Sequence, residues 1–467
     1  MTPLSASPRP GLPLPATVRL GLFQACLGCL AVIFSGLLNR IMLSELAFPG
    51  LLVGGALAFE QFVAPSRVLF GQISDAHPLG SRHRVPYVLM GTALFCLLAV
   101  LSVPLIFRVD RLLETGDQPG TAFGIAALCG LFALYGLAVS LATTPYLALV
   151  IDRTTERERP RAVGIIWCML TVGIVIGAVA IGLSLRSLDG VSDRTLLQAT
   201  LTRFMAIVAA VVWLLTLLAT WGMEPPGRGR RDGRASERDD AIGLVQSWSL
   251  ITSSRQVLIF FGFLILFTLA LFLQDPVLES YGAQVFAMPI AATAQLNAFW
   301  GVGTLVGLLI AGLWVVPRLG KMATARLGIQ LIALSLLLLL LSGLTARIPF
   351  LQAVMVLFGL AAGIGTNSAL CLMLDLTLPQ AAGTFVGVWG LAQALSRAIG
   401  KLLGGGLYDI GRALPLGAGP YGPFALVLAV ELLVALAALL LLDRVNVRQF
   451  REDTARGLSK VMALELG

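Results

Sequence analysis

The sequence predicts an all-α membrane protein with twelve transmembrane helices in two parallel six-helix halves. Three observations lead there. Apolar residues make up 57% of the chain and charged residues only 12%, about half the charge of a soluble protein. Apolar windows about 20 residues long, the length of one membrane-crossing helix, recur from end to end. A charged, Gly-rich stretch near the middle divides them into two groups of six. The alternating polarity of a membrane β-barrel does not occur in the sequence.

Residues 1–19 are Pro-rich with no apolar core of their own, and read as a flexible leader rather than a cleaved signal. Spans are expected near 20–41, 50–71, 86–107, 122–150, 162–185 and 203–222, which make an N-terminal half, 20–222. The stretch 223–255 contains "EPPGRGRRDGRASERDD", a linker composition. Spans near 256–275, 291–315, 326–344, 350–374, 383–406 and 423–442 make the second half, 256–442, and 443–467 form a tail. Most of the 33 Lys and Arg fall in the leader, the central loop, the tail and alternate short loops. By the positive-inside rule both termini and the central loop are cytoplasmic. The net charge of +8 suits contact with anionic headgroups. It does not indicate nucleic acid, because the basic loops are short and lack interleaved aromatics. The six cysteines all lie in apolar runs and read as packing residues. Cys26-x-x-Cys29 has no second pair to make a metal site.

An internal repeat supports the division. In "IDRTTERERPRAVGIIW" and "LDLTLPQAAGTFVGVWG", Asp152, Thr154 and Gly164 align with Asp375, Thr377 and Gly387, and Gly177 aligns with Gly400. A weaker match links "AFEQFVAPSR" with "AFWGVGTLVG". Two parallel halves of six spans describe the major facilitator architecture. There the fourth-to-fifth-span junctions lie at the inner face, where Asp152 and Asp375 are gating or capping candidates. The loop "GQISDAHPLGSRHR" adds Asp75, Arg82 and Arg84 as parts of an inner-face latch.

Charges within spans are costly, about 2.5–3.5 kcal/mol each on insertion scales, so they face the interior and find partners. Glu60 and Arg67 stand seven residues apart in the second span, on one face of a continuous helix and about 10 Å apart along it. Pro65 between them predicts a kink. Arg397 and Lys401 lie one turn apart in the eleventh span and repel, so they need an acidic partner or an anionic ligand. Asp275 and Glu279, in "LQDPVLESYG", are expected at the outer end of the seventh span. Asn39 and Arg40 close the first span, and Glu431 sits in the twelfth. Together Glu60, Arg67, Asp275, Glu279, Arg397 and Lys401 are the candidates for lining a cavity. No Asp-rich diphosphate motif, nucleotide loop or Cys/His metal cluster points to an enzyme.

The strings "ALVIDRTTERERPRAVGIIWCML", "LQDPVLESYGAQVFAMPIAATAQLNAFWGVG" and "LLDRVNVRQFR" resemble the PucC/LhaA-like proteins, the bacteriochlorophyll delivery branch of the major facilitator superfamily. The resemblance covers about residues 19–451. It implies an assembly factor for light-harvesting complexes in the membrane of a photosynthetic bacterium, passing chlorophyll or bacteriochlorophyll to nascent antenna or photosystem polypeptides. No cofactor is expected to be stably bound. The only histidines, His77 and His83, fall in an inner loop, so the usual metal-ligating side chain is missing from every span. Weak ligands such as Glu60, Asn, Gln or water suit transient pigment handling better than storage. Two other readings stay open. One is a proton-coupled transporter of another small amphiphile, with Glu60 or Asp275 carrying the proton. The other is a non-transporting chaperone that packs antenna helices on small-residue patches such as "GIVIGAVAIG".

Overall fold

The computed structural model describes residues 12–79, 82–154, 158–185, 193–224, 255–375, 382–415 and 419–446. Helix α1 (Leu14–Ala31) continues through two wide π-type segments, Val32–Leu38 and Ile41–Glu45. Then come α2 (Gly50–Phe62), α3 (Ser66–Ala76), α4 (Val85–Thr115), α5 (Gln118–Arg153), α6 (Arg159–Ser184) and α7 (Arg194–Thr220). The stretch expected as a central loop lies mostly outside the described residues, and beyond it follow α8 (Arg255–Phe272), α9 (Leu278–Phe286), α10 (Ile290–Ile310), α11 (Val316–Leu319), α12 (Lys321–Thr345), α13 (Ile348–Asp375), α14 (Ala382–Ala413) and α15 (Tyr421–Leu442). Among the described residues nine helical stretches are long and apolar enough to cross a membrane. Two shorter apolar helices, Gly50–Phe62 and Leu258–Phe272, and α14 fill the remaining positions of the twelve. Large apolar side chains such as Leu183, Ile207 and Leu440 are exposed on them, as lipid-facing helices require.

The chain forms two compact units. One draws on residues 1–34 and 63–230, the other on 35–62 and 231–467. In the first unit α1 crosses α6 closely. A Cβ at Gly173 would collide with the Ala25 backbone, and Gly177 faces the backbone of Cys29. The small-residue run of α6 is therefore packed against α1 within the chain. Tyr146 donates to the Leu20 carbonyl at 2.9 Å, and Phe34 stacks on Tyr135 with centroids 3.9 Å apart. The first amides of α4 are capped by a remote carboxylate. Glu224 accepts from the amides of His83 at 2.6 Å and Val85 at 2.7 Å, which places negative charge at a helix N-terminus.

In the second unit α10 and α13 interlock through Gly303 and Gly307 on one side and Gly359 and Gly363 on the other, the close approach that small residues allow in membranes. Phe263, Phe267, Ile332, Leu336 and Phe358 fill its core. Helix α2 belongs to this unit because it lies along α14. A Cβ on Gly54 would strike the Lys401 carbonyl, and one on Gly405 the Gly50 carbonyl. Asp409 accepts from the amides of Gly50 and Leu51 at 2.6 and 2.7 Å.

Two spans differ from their expected form. The second is not continuous from 50 to 71: the chain turns at 63–65, where the Ser66 amide donates to the Val63 carbonyl at 3.0 Å. Pro65 cannot donate and clashes with the preceding turn, so the one-face geometry expected of Glu60 and Arg67 does not apply. The seventh does not end at Asp275. Helix α8 stops at Phe272, residues 273–277 form a turn around Pro276, and the chain resumes as α9.

The second unit also uses one turn twice. Ala47 and Ala287 both take a left-handed backbone with φ of 52°. The next amides reach back six residues, Phe48 to the Met42 carbonyl at 2.8 Å and Met288 to the Gly282 carbonyl at 3.1 Å, a left-handed closure one residue wider than that of a Schellman motif. Phe48 and Met288 are buried, and Pro49 and Pro289 lead into α2 and α10. The spacing between these turns is the spacing of the weaker sequence match, "AFEQ" with "AFWG".

Gly405→Val is expected to cost about 1–3 kcal/mol by overpacking, read as a lower Tm in detergent. Gly406→Val, whose Cβ would meet only Leu51 at ordinary contact distance, serves as the tolerated control. A second expectation concerns Asp193, which caps α7 by accepting from the Thr195 amide at 2.9 Å and from the Thr195 hydroxyl. These bonds hold its carboxyl below the usual carboxylate range. The cap's contribution is therefore present above the unfolded-state value and is lost as pH falls through the folded one. Hydrogen exchange of the first turn of α7 should be faster in Asp193→Ala at neutral pH, with the difference vanishing in acid.

Candidate functional site

The break at Leu273–Val277 gathers the polar groups of the second unit. Gln274 and Glu279 come from the break itself and the start of α9, and both are buried. The continuation of α1 brings Asn39 and Arg40, α10 brings Thr293 and Asn297, α14 brings Arg397 and Lys401, and α15 brings Glu431. Lys401 is 4% exposed and its Nζ lies 3.6 Å from Asp275 Oδ2. Asn39 Nδ2 donates to the Asp275 carbonyl at 3.1 Å, satisfying an acceptor that the broken helix leaves open. Arg40 donates to Thr293 Oγ1 at 2.6 Å and pairs with Glu45 at 3.5 Å. Asn297 Nδ2 donates to Glu279 Oε1. The same carboxyl lies over Gly36, where a Cβ would overlap it. The Arg397 guanidinium sits 4.2 Å from the centroid of the Phe272 ring, a cation–π contact.

Four of the six cavity candidates thus converge on one break: Asp275, Glu279, Arg397 and Lys401. Glu60 is half-buried on α2, beside Gln61, whose Nε2 donates to it at 3.4 Å. The antiparallel register of α2 on α14 pairs Gly50 with Gly405 and Gly54 with Lys401. That register runs Glu60 toward the turn of α14 carrying Arg397. Arg67 is exposed on α3. Of the inner-face candidates, Arg84 Nε reaches Asp152 Oδ2 at 3.2 Å and Arg84 Nη1 reaches Ser74 Oγ at 2.8 Å. Arg82 pairs through its backbone carbonyl with the Leu79 amide at 3.0 Å. The side chains of Asp75 and Asp375 lie outside the described residues.

Sequence reasoning missed several groups. Glu224 and Asp409 hold helix starts far from them in sequence. Asp443, just past α15, pairs with Arg326 of α12 at 2.6 Å. In each unit, then, an acid following the last span ties down the third. Between α1, α6 and α7 lies an apolar cavity of about 620 Å³, lined by residues including Cys26, Cys29, Ile176, Phe204 and Val208, with Arg203 as its one charged lining residue. Among the described residues no group of three or more His, Cys, Asp or Glu side chains could hold a metal ion.

Residues 37–450 match the family model described as PUCC protein. The chain belongs to the PUCC protein family. Protein PucC of Rhodovulum sulfidophilum is 30% identical over 413 residues, spanning 87% of this chain and 88% of that protein. A bacteriochlorophyll synthase 44.5 kDa chain of Rhodobacter capsulatus is 31% identical over 407 residues, 84% of this chain and 87% of that one. A crystal structure of a mutant nucleoside transporter NupG superposes with a TM-score of 0.67 at 13% identity, covering 92% of this chain and 99% of NupG. That likeness shows the fold, which is of the major facilitator type. Family and fold together point to a non-enzymatic integral membrane protein related to photosynthesis, although one relative carries the name of a synthase chain.

Asp275→Asn is expected to leave Lys401 buried without its counter-charge and to cost about 3 kcal/mol. The double variant Asp275→Asn/Lys401→Met should recover much of that loss. A double-mutant cycle on thermal stability checks the coupling.

Proposed function

We propose that this PUCC-family protein is an assembly factor for light-harvesting complexes that carries chlorophyll or bacteriochlorophyll transiently and passes it to nascent antenna or photosystem polypeptides. The observation that carries the reading is the concentration of polar groups at one break of an otherwise apolar unit. A large apolar macrocycle with a few polar edges needs such a surface, apolar walls with a few convergent anchors. Glu60, Asp275, Glu279, Arg397 and Lys401 are the anchors we assign. The positions of both histidines, outside every span, support transient rather than permanent metal ligation. We further assign the Arg84–Asp152 pair to inner-face gating, the stretch 223–255 to the division between two six-helix halves, and both termini to the cytoplasm. On this reading the synthase name of one relative describes no catalysis by this chain.

The three carboxylates of the break favour a second reading, a proton-coupled transporter of another amphiphile. Gentle purification from a pigmented host separates the two. Wild type is expected to carry a substoichiometric chlorophyll-type absorption band, and folded Glu60→Gln to lose at least half of it. An absence of pigment in folded wild type, with uptake of another amphiphile driven by a proton gradient, would replace the first reading by the second.

A further inference from the structure

Glu431 lies in the middle of α15 with no exposure at all, and neither of its carboxyl oxygens has a hydrogen-bond partner. The amides beside it are those of Gln274 and of Leu273, and the Leu273 amide is taken by the Leu269 carbonyl at 3.0 Å. Glu279 Oε2, at the start of α9, likewise has no hydrogen-bond partner. An ionised carboxylate left in this state costs several kcal/mol, so the shortage has to be met by a proton or another cation.

The charges around Glu431 decide between these. From the break come Gln274 and Asp275, from α9 Glu279, and from α14 Arg397 and Lys401. Helix α12 carries Lys321 and Arg326 at its start, where Arg326 is held by Asp443. Lys401 is engaged with Asp275, Arg40 with Thr293 and Glu45, and Arg397 with the Phe272 ring. Among the described residues no group of three or more His, Cys, Asp or Glu side chains could hold a metal ion. A proton adds a single donor to a neutral acid and needs no coordination shell. Of the three acids, only Asp275, in the break itself, keeps appreciable exposure, 26% of its side chain.

We propose that Glu431 is a membrane-buried proton-binding site, loaded and unloaded through Asp275 at the break of the seventh span. The site is a feature of the second unit and does not depend on what cargo the protein carries.

The test uses the full-length protein in lipid nanodiscs. Dicyclohexylcarbodiimide is apolar and adds to a protonated carboxyl, leaving a stable N-acylurea that peptide mass spectrometry locates. Infrared difference spectra report the same acid through its C=O band. Glu431 is expected to be labelled, with labelling falling several-fold toward alkaline pH. The acid band should shift in D2O and be missing from Glu431→Gln. Its D2O shift should be several-fold slower in Asp275→Asn, while Glu279→Gln should leave labelling of Glu431 intact. Labelling of wild type stands alone if a variant does not fold. Three results overturn the proposal: no label at Glu431, an acid band that never exchanges in D2O, or protection from labelling by sodium at constant pH.

Discussion

A helix surrounded by hydrocarbon has to satisfy its own backbone, and between Leu273 and Val277 this chain gives up that arrangement. Pro276 brings no amide proton, and the turn leaves carbonyls without their helical partners. The polar chemistry of the second unit follows from that. Asn39 is drawn to the freed Asp275 carbonyl, Lys401 to its carboxylate, and Gly36 must lack a side chain because the Glu279 carboxyl occupies the space. Remove the break, and neither the buried amides nor the buried Lys401 of α14 has a reason to be where it is.

The same economy appears at the ends of spans. Glu224, Asp409 and Asp443 each stand near the end of one helix and secure the beginning of another. An acid placed against open amides uses the helix dipole and hydrogen bonding at once. Only Asp443 works through a side-chain cation, and it lies at a surface where such pairs contribute little by themselves. The helix ends are therefore anchored chiefly through backbone amides, which stay in place when side chains change.

Much of this was legible before any coordinate. Apolar windows gave the spans, and Pro65 marked its own kink. Arg397 and Lys401, like charges one turn apart, announced the need for an acid, which Lys401 finds in Asp275. What stayed hidden was non-local. "LQDPVLES" reads as the end of a span because its hydropathy falls. Its return to helix depends on Asn297 and Asn39, supplied from elsewhere in the chain. Glu431 looks like any polar residue in a span, and nothing beside it in sequence says that its oxygens go unmet. Glu224 and Asp409 sit at loop-like ends and were passed over for charges inside spans. One missed signal was present in the letters. Ala47-Phe48-Pro49 and Ala287-Met288-Pro289 keep the spacing of the weaker repeat, and would have tied the first span to the seventh.

The membership of α2 in the second unit bears on how the chain is made. Its 13 residues are too few to cross a bilayer alone, and the glycines and aspartate that receive it lie on α14, near Gly405 and Asp409. At about 5–20 residues per second, the ribosome reaches that segment roughly 20–70 s after finishing α2. For that interval the helix sits in the membrane with its first amides uncapped and its glycine face open. A cell making this protein has to shelter a half-built span, and the insertion machinery or a neighbouring lipid must hold it until its partner arrives.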